Sequence, residues 1–512
     1  MLKIMEYRGY IRNWRQLCNE LSIPNFLNRE KREKEIILKG YKKWKYNLCN
    51  HLYGMFAFSI YDDIEDIIFC ARDHFGVKPY YYCVTDECKF LHGSDINKLV
   101  NNKLYSKSVD EDVLQIYLSL SYVGGENTLF KGIKKLMPGH YLIWKNGEVL
   151  LKRYWKPVYS FDNKKSIDDY ALEIHNTFKK IIDEEKDDNE YVESFLSSGV
   201  DSSYVLAMSD VSVANTCGYK DSSFDESGLA KDTAKLLNRN IDCCYITPEM
   251  YFSMVPYVVY NMGLPLGDAS SIAFAIGCKE VSKKAKICYS GEGADEFFGG
   301  YNIYRNAFKY KDNLNEFYVG NTNIMNEDLK KIILKNYNSR VLPINVLKKV
   351  YRDYKDLDSF TMMCNVDIHI WLEGDIFLNV DRMSNACGLE VRVPLADRRI
   401  FDIASSVPVE YKINDNYNKV VLRTAASKVL PEEIAFRKKI GFSVPIRVWL
   451  ADSRYNSDVI EKINSDYAKK FFNVDEVNKI FNDYINGESD KWRIIWAIYM
   501  FLVWYDEYFI KR

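Results

Sequence analysis

A chain of 512 residues is too long for one ordinary hydrophobic core and calls for two or more domains. Its 70 lysines and arginines are balanced by 71 aspartates and glutamates, so no surplus of positive charge points to nucleic acid or to an anionic membrane. The balance fits a soluble cytoplasmic protein, and the 12 scattered cysteines, none in paired C-x-x-C units, read as reduced core thiols rather than zinc ligands.

Residues 1 to 20 are charged throughout, with no apolar stretch of signal-peptide length. The chain then offers helical patterns at Trp14 to Leu21 and Glu35 to Trp44. Strand patterns follow at Met55 to Tyr61 and Ile67 to Ala71, joined by the turn-rich D-D-I-E-D. A further punctuation at Met137-Pro138-Gly139-His140 precedes a small strand pair around Asn146-Gly147. These short elements predict an α+β unit over residues 1–150.

After Ser160 the pattern changes. Apolar strands ending in small residues, at Tyr191 to Leu196, Val213 to Gly218 and Lys286 to Tyr289, alternate with helices, which predicts an open, largely parallel sheet within a second domain over 160–512. The acidic run Asp183 to Asp188 reads as a solvated turn. From about Leu329 onward the chain reads as helical, and its most apolar segment, Ile494 to Tyr505, is shorter than the roughly 20 residues of a membrane span and reads as a buried helix.

In a doubly wound sheet the ligand site lies beyond the carboxyl ends of the strands, and three segments there hold unusual residues. In the first, Ser197, Ser198, Gly199, Ser202 and Ser203 can aim hydroxyl and N–H groups at a phosphate in front of a helix N-terminus, while Asp201 suits a divalent metal bridging to it. A serine-rich turn that merely caps a helix is an equal alternative for this loop alone. The second, Ser290-Gly291-Glu292-Gly293-Ala294-Asp295-Glu296, crowds three carboxylates that would repel one another unless a cation or a proton intervenes. One acid for metal and one for proton transfer is the natural division, with a charged helix start as the alternative. The third comprises Asp381-Arg382-Met383-Ser384, Glu390-Val391-Arg392-Val393-Pro394 and Arg437-Lys438-Lys439-Ile440-Gly441-Phe442, whose cations either neutralise a departing polyphosphate or form surface ion pairs.

S-S-G-V-D-S-S resembles the PP-loop of the ATP pyrophosphatases. Together with G-E-G-A-D-E-F-F-G-G-Y, D-R-M-S, E-V-R-V-P and R-K-K-I-G-F it is similar to the class B, glutamine-dependent asparagine synthetase family, as is Ala71-Arg72-Asp73-His74-Phe75-Gly76-Val77-Lys78-Pro79-Tyr80 near the N-terminus. The resemblance implies an N-terminal Ntn-hydrolase-like glutamine amidotransferase remnant. It also implies a C-terminal parallel-sheet ATP pyrophosphatase domain with a helical end. By the same resemblance a carboxylate attacks ATP to give an acyl adenylate and pyrophosphate, and ammonia displaces AMP. Ser197, Ser198, Gly199, Ser202, Ser203 and Ser290 would then face the phosphates, with Asp201 and Asp295 holding Mg2+. Phe195, Cys217 and Gly291 would contact the nucleotide, Glu292 would take the proton of the attacking amine, and Lys439 and Arg382 would supply charge.

The sequence also departs from the family pattern. Ser198 replaces a usual glycine. The family's nucleophilic cysteine follows its first Met, whereas residue 2 here is Leu2. Arg8-Gly9-Tyr10-Ile11-Arg12-Asn13 aligns with a family segment reading N-G-E-I-Y-N, so the asparagine and glutamate that grip glutamine there are replaced here by Arg8 and Tyr10, and a third contact, an aspartate, is replaced by Glu33. The expectation is a glutaminase domain without its chemistry, kept as scaffold. The amine then comes as free ammonia, from a separate ammonia-supplying partner, or from the substrate itself, and a homodimer is compatible with all three. A small-molecule carboxylate gives simple amidation, and a peptide carboxylate gives a macrocyclase of the lasso-peptide or lactam-forming kind. The lactam-forming relatives carry tyrosine where Glu292 stands, which favours the first. A nucleotide-binding protein without turnover is the reading from another class.

Overall fold

The computed structural model describes residues 2–24, 26–162, 164–186, 190–220, 223–309, 314, 318–438 and 443–512. Its N-terminal part contains β1 (Leu2–Ile11), β2 (Gly54–Asp62), β3 (Ile67–Arg72), β4 (Tyr81–Val84), β5 (Phe90–Gly93), β6 (Lys134–Lys135), β7 (His140–Lys145) and β8 (Glu148–Arg153). They form two antiparallel sheets, ordered β1-β2-β3-β7-β8 and β5-β4-β6. Strand alternation gives the larger sheet two buried faces. Phe56, Phe58, Ile60 and Phe69 pack under the helices Trp14–Leu21 and Arg29–Trp44, while Ala57, Ile68 and Cys70 meet Tyr80, Tyr82 and Leu136 on the other side.

The C-terminal part holds β9 (Val192–Phe195), β10 (Val213–Gly218), β11 (Asn240–Tyr245), β12 (Ile287–Tyr289) and β13 (Glu390–Arg392), all parallel in the order β11-β10-β9-β12-β13. From β9 the chain builds outward to β11 and then returns to the other side of β9 as β12. The order therefore reverses at β9 and β12, where a crevice opens at the strand ends. The expected strands at Val213 to Gly218 and Lys286 to Tyr289 are there. Glu390–Arg392, which had read only as a source of charge, is an additional edge strand paired with β12. The late helices include Trp492–Tyr505, in which Trp496 and Trp504 are fully buried. Among the described residues no helix is long and apolar enough to cross a membrane.

Buried ion pairs fasten the two parts together. Arg72 donates to Glu373 at 2.9 Å, Lys135 to the same carboxylate at 2.8 Å, and Lys78 to Asp381 at 2.7 Å. The A-R-D-H-F-G-V-K-P-Y motif is thus a structural knob. Asp73 accepts from the N–H groups of Phe56, Phe75, Val77 and Lys78, and Arg72 holds the carbonyls of Gly76, Lys78 and Leu136. The acidic run at 183–188 is not the solvated turn that its composition suggested. Its first residues end the helix Ile167–Glu185, where Glu185 is fully buried against Arg12 and Arg392, and Glu184 binds Arg399. Residues 187 and 188 lie outside the described residues.

Candidate active site at the carboxyl ends of the central strands

The loops that leave β9 and β12 are neighbours because those strands are neighbours. A Cβ on Gly291 would lie 2.8 Å from Ser202 N and 2.9 Å from the Asp201 carbonyl carbon, so only glycine lets the two loops touch this closely. The helix Val200–Met208 starts on Gly199, which has no side chain to cap it, so its first N–H groups face outward from the strand ends. The serines before it form a self-bonded turn. Ser197 N donates to Ser202 Oγ at 3.0 Å, Gly199 N to Ser197 Oγ at 3.1 Å, and Ser203 Oγ to Gly199 O at 2.8 Å. Ser198 Oγ turns away to Glu226, and Ser290 Oγ lies 3.4 Å from Glu292 Oε1.

At the mouth of these loops Lys419 Nζ lies 2.5 Å from Asp201 Oδ2 and 2.8 Å from Asp295 Oδ1. Burial opposes the charge on Lys419, but the two carboxylates together hold its ammonium above the ordinary lysine value. Lys419 is in the left-handed region at φ 57°, rare for a residue with a side chain and a form of strain that clusters at functional sites. Asp201 Oδ1 is buried and has no hydrogen-bond partner among the described residues. Two converging carboxylates with an orphan oxygen fit a divalent metal, whose preferred ligands are carboxylate oxygens. Nothing in its sequence neighbourhood had singled out Lys419. The only signal was a lysine opening a helix, a position that more often holds a small polar cap.

Phe195 and Cys217 come together on one wall. They line a cavity of about 240 Å3 with Thr216, Cys244 and Gly277, and a Cβ on Gly277 would sit 3.1 Å from Cys217 Sγ. Arg382 is tied elsewhere, donating to Asn261 O at 2.7 Å and to Asp95 at 2.8 Å, across the boundary between the two parts. Lys439 lies outside the described residues. Its neighbour Arg437 reaches the phosphate-sized turn itself, with Nη1 at 3.4 Å from Ser198 O and 3.0 Å from Thr233 Oγ1.

A family model described as asparagine synthase matches residues 173–506, and one described as a glutamine amidotransferase domain matches residues 2–155. The chain belongs to the asparagine synthase family. Across 99% of its length it is 30% identical to asparagine synthetase [glutamine-hydrolyzing] 1 of Bacillus subtilis, covering 86% of that protein. A putative asparagine synthetase [glutamine-hydrolyzing] of Mycobacterium tuberculosis H37Rv is 26% identical over 98% of this chain and 84% of its own. Asparagine synthetase [glutamine-hydrolyzing] 3 of Bacillus subtilis is 27% identical over 85% of this chain and 74% of its own. Membership makes the chain a carbon–nitrogen ligase, with an amidotransferase domain on antiparallel sheets and a synthetase domain on the parallel one.

In this asparagine synthase family chain the amidotransferase segment holds a cavity of about 380 Å3, lined by Arg8, Arg29, Glu33 and Lys78 and closed by Asn385 and Glu390 of the synthetase part. Arg8 donates to Asn385 Oδ1 at 2.7 Å. Tyr10 is fully buried, its OH donating to Glu184 O and its ring lying 3.7 Å under the Arg392 guanidinium. Glu33 accepts from Ile11 N and Tyr7 OH, and burial pushes its carboxyl up to about 7. All three positions make hydrogen bonds within the fold, and Arg8 and Glu33 also line the cavity.

Proposed function

We propose that the protein is an ATP-dependent amide-forming ligase that activates a carboxylate as its adenylate and transfers the acyl group to ammonia or an amine. The observation that carries this reading is the bridge of Asp201 and Asp295 by one buried cation, directly beside an uncapped helix N-terminus. That pairing of a phosphate-sized turn with an acidic metal-type pair suits a nucleotide whose pyrophosphate leaves.

Ser197, Gly199, Ser202 and Ser203 open their mutual hydrogen bonds to receive the pyrophosphate, and Ser198 and Ser290 line its approach. Phe195, Cys217 and Gly291 flank the nucleoside. Asp201 and Asp295 would hold Mg2+, which when bound supplies positive charge to the phosphates. Lys419 and Arg437 add cationic charge beside the leaving group, and the family resemblance assigns Lys439 the same role. Arg382 acts at a distance, keeping the domains in register through Asp95. Glu292, on the loop between Ser290 and Gly293, takes a proton from the incoming nitrogen as it attacks the adenylate carbonyl and AMP departs.

The nitrogen is not drawn from glutamine by this chain. Arg8 and Tyr10 stand where the family pattern has residues that grip glutamine, and both are committed to other partners. Exchange of labelled pyrophosphate into ATP, with L-aspartate and MgCl2, tests the ligase reading with aspartate as the carboxylate, and its absence at saturating substrate overturns that form of it. Incubation with glutamine alone should release no glutamate; steady release overturns the second statement.

A further inference from the structure

The chain's 12 cysteines read as core thiols in the sequence, but the fold sets two of them side by side and only half-buried. Cys217 on β10 and Cys244 on β11 stand opposite each other in the parallel ladder, each the register partner of the other. Register partners on neighbouring strands project to the same face of a sheet, and here that face carries the helix Ser270–Val281. Cys217 Sγ lies 3.9 Å from Ala273 O of that helix, and a Cβ on Gly277 would sit 3.1 Å from the same sulfur and 3.5 Å from the Phe195 ring. Both thiols line the cavity of about 240 Å3 that also holds Phe195, and its lining includes Lys283 and Lys284, which are exposed. A small molecule therefore reaches the pair from solvent.

Neighbouring strands run about 4.7–4.9 Å apart. That spacing falls inside the range of about 4.4–6.8 Å that two Cα atoms need for a disulfide, and opposed positions on one face keep the two Cβ bonds from diverging. Among the described residues no three carboxyl, thiol or imidazole groups converge closely enough to hold a metal ion, so the pair is a dithiol without further ligands. The two sulfurs are not equivalent. The Cys217 thiol donates to Cys244 and lowers it below the ordinary thiol value, with help from Lys283 and against burial and Glu280. The same hydrogen bond, and then burial, raise Cys217. Cys244 is therefore the attacking thiolate and Cys217 the resolving thiol.

We propose that Cys217 and Cys244 form a thiol modification site, which a small disulfide such as oxidised glutathione converts to a reversible bridge between β10 and β11. The Cys244 thiolate attacks one sulfur of the oxidant and expels a first glutathione thiolate. Cys217 then attacks Cys244 Sγ in the mixed disulfide and expels the second. The protons lost by the two cysteines end on the two glutathiones, two protein thiols are oxidised as one disulfide is reduced, and excess thiol reverses the exchange. Bridging draws Cys217 Sγ away from Ala273 and Gly277 toward β11, which shifts the wall beside Phe195. For its effect on ATP the inference rests on the nucleoside wall proposed above; for the bridge itself it does not.

The full chain would be incubated with oxidised glutathione, its remaining thiols blocked with N-ethylmaleimide, and the protein digested without reductant. The expected product is a linked pair of peptides carrying Cys217 and Cys244, lost on treatment with dithiothreitol and absent from Cys244→Ser. Cys217→Ser should stop at glutathione attached to Cys244, and serves as the test should Cys244→Ser not fold. Free thiols at both positions, or glutathione left on either of them in the parent without a bridge, would overturn the site. Equilibrium dialysis with ATP and MgCl2 reads the consequence. The bridged parent should bind ATP about tenfold more weakly than the same sample after dithiothreitol, the scale of a small forced displacement in a packed wall. Oxidant-treated Cys244→Ser should bind ATP as its own reduced form does. Equal affinity in bridged and reduced parent would overturn the link to the nucleotide. Reduced parent that binds no ATP would overturn the ligase reading instead, and the digest alone then decides the bridge.

Discussion

Lys419 Nζ makes its shortest contact with Asp201 Oδ2, at 2.5 Å, and reaches Asp295 on the adjoining loop at 2.8 Å. One ammonium therefore neutralises two acids from two different strand ends. Replacing it with Met keeps the length of the side chain and removes the charge. Lys419→Met should lower pyrophosphate exchange by about a hundredfold or more, the usual cost of deleting a preorganised charge at a site of developing negative charge. The two acids, left facing each other, should take up a divalent ion more readily, so MgCl2 should raise the melting temperature of the variant more than that of the parent. An unchanged exchange rate would remove Lys419 from the reaction.

Gly300 sets how close these groups come. A Cβ there would lie 1.8 Å from Asp295 Oδ1 and 2.1 Å from Lys419 Cε. Gly300→Ala must displace either the acid or the lysine, at a cost of about 1–3 kcal/mol for forced overpacking. Exchange activity should fall to the level of Asp295→Ala, with circular dichroism showing the fold retained. Full activity in Gly300→Ala would mean that the bridge is dispensable.

The parallel sheet and its two acidic loops were legible because their signals are local: strands ending in small residues, glycines flanking an acid, serines before a helix. Lys419 was not, because its role is set by the fold, which carries a lysine from far along the chain to the loops at 201 and 295. In the third group of motifs the choice between a polyphosphate and ion pairs was not legible for the same reason. Arg382 and Arg392 have the charge expected of a polyphosphate site, yet the structure pairs them with Asp95 and with Glu185 and Glu390. Charge is visible in a sequence, whereas its partner is not. Lys439 itself lies outside the described residues, so the basic segment is represented in the site by Arg437.

Glu373 accepts from both Arg72 and Lys135 across the domain boundary, and all three side chains are buried. Glu373→Gln would leave two buried cations without their counter-charge, which costs about 3–5 kcal/mol. The urea midpoint should fall accordingly, and tryptophan fluorescence and far-UV circular dichroism should no longer report a single shared transition. Replacing all three with apolar residues of similar volume should restore much of the loss, since a complete buried pair is itself of small net value. A midpoint unaltered in the single variant would show that the interface does not depend on this bridge.

The amidotransferase segment carries opposite pH signatures in two of its contacts. Burial raises Glu33 to about 7, above its unfolded value, so the stability tied to it is complete below about pH 4.3 and is lost as pH rises through 7. Burial also opposes the charge on Asp397, but Arg12 and then Arg399 outweigh it and hold that carboxyl down to about 2. Its contribution is present above about pH 3.9 and is lost as pH falls through 2. Urea midpoints measured across pH should therefore fall on both sides of a maximum. Glu33→Gln should flatten the neutral limb only in part, since Asp367, held up to about 7 by burial, keeps a share of the slope. Asp397→Asn should flatten the acid limb only in part, since Arg392 and then Arg29 outweigh burial and hold Glu390 down to about 2 as well, and should leave the neutral limb unchanged. If Glu33→Gln left the slope between about pH 5 and 7 as steep as in the parent, the carboxyl would already be ionised in the folded protein, and Arg29 would be neutralising it more fully than burial opposes it.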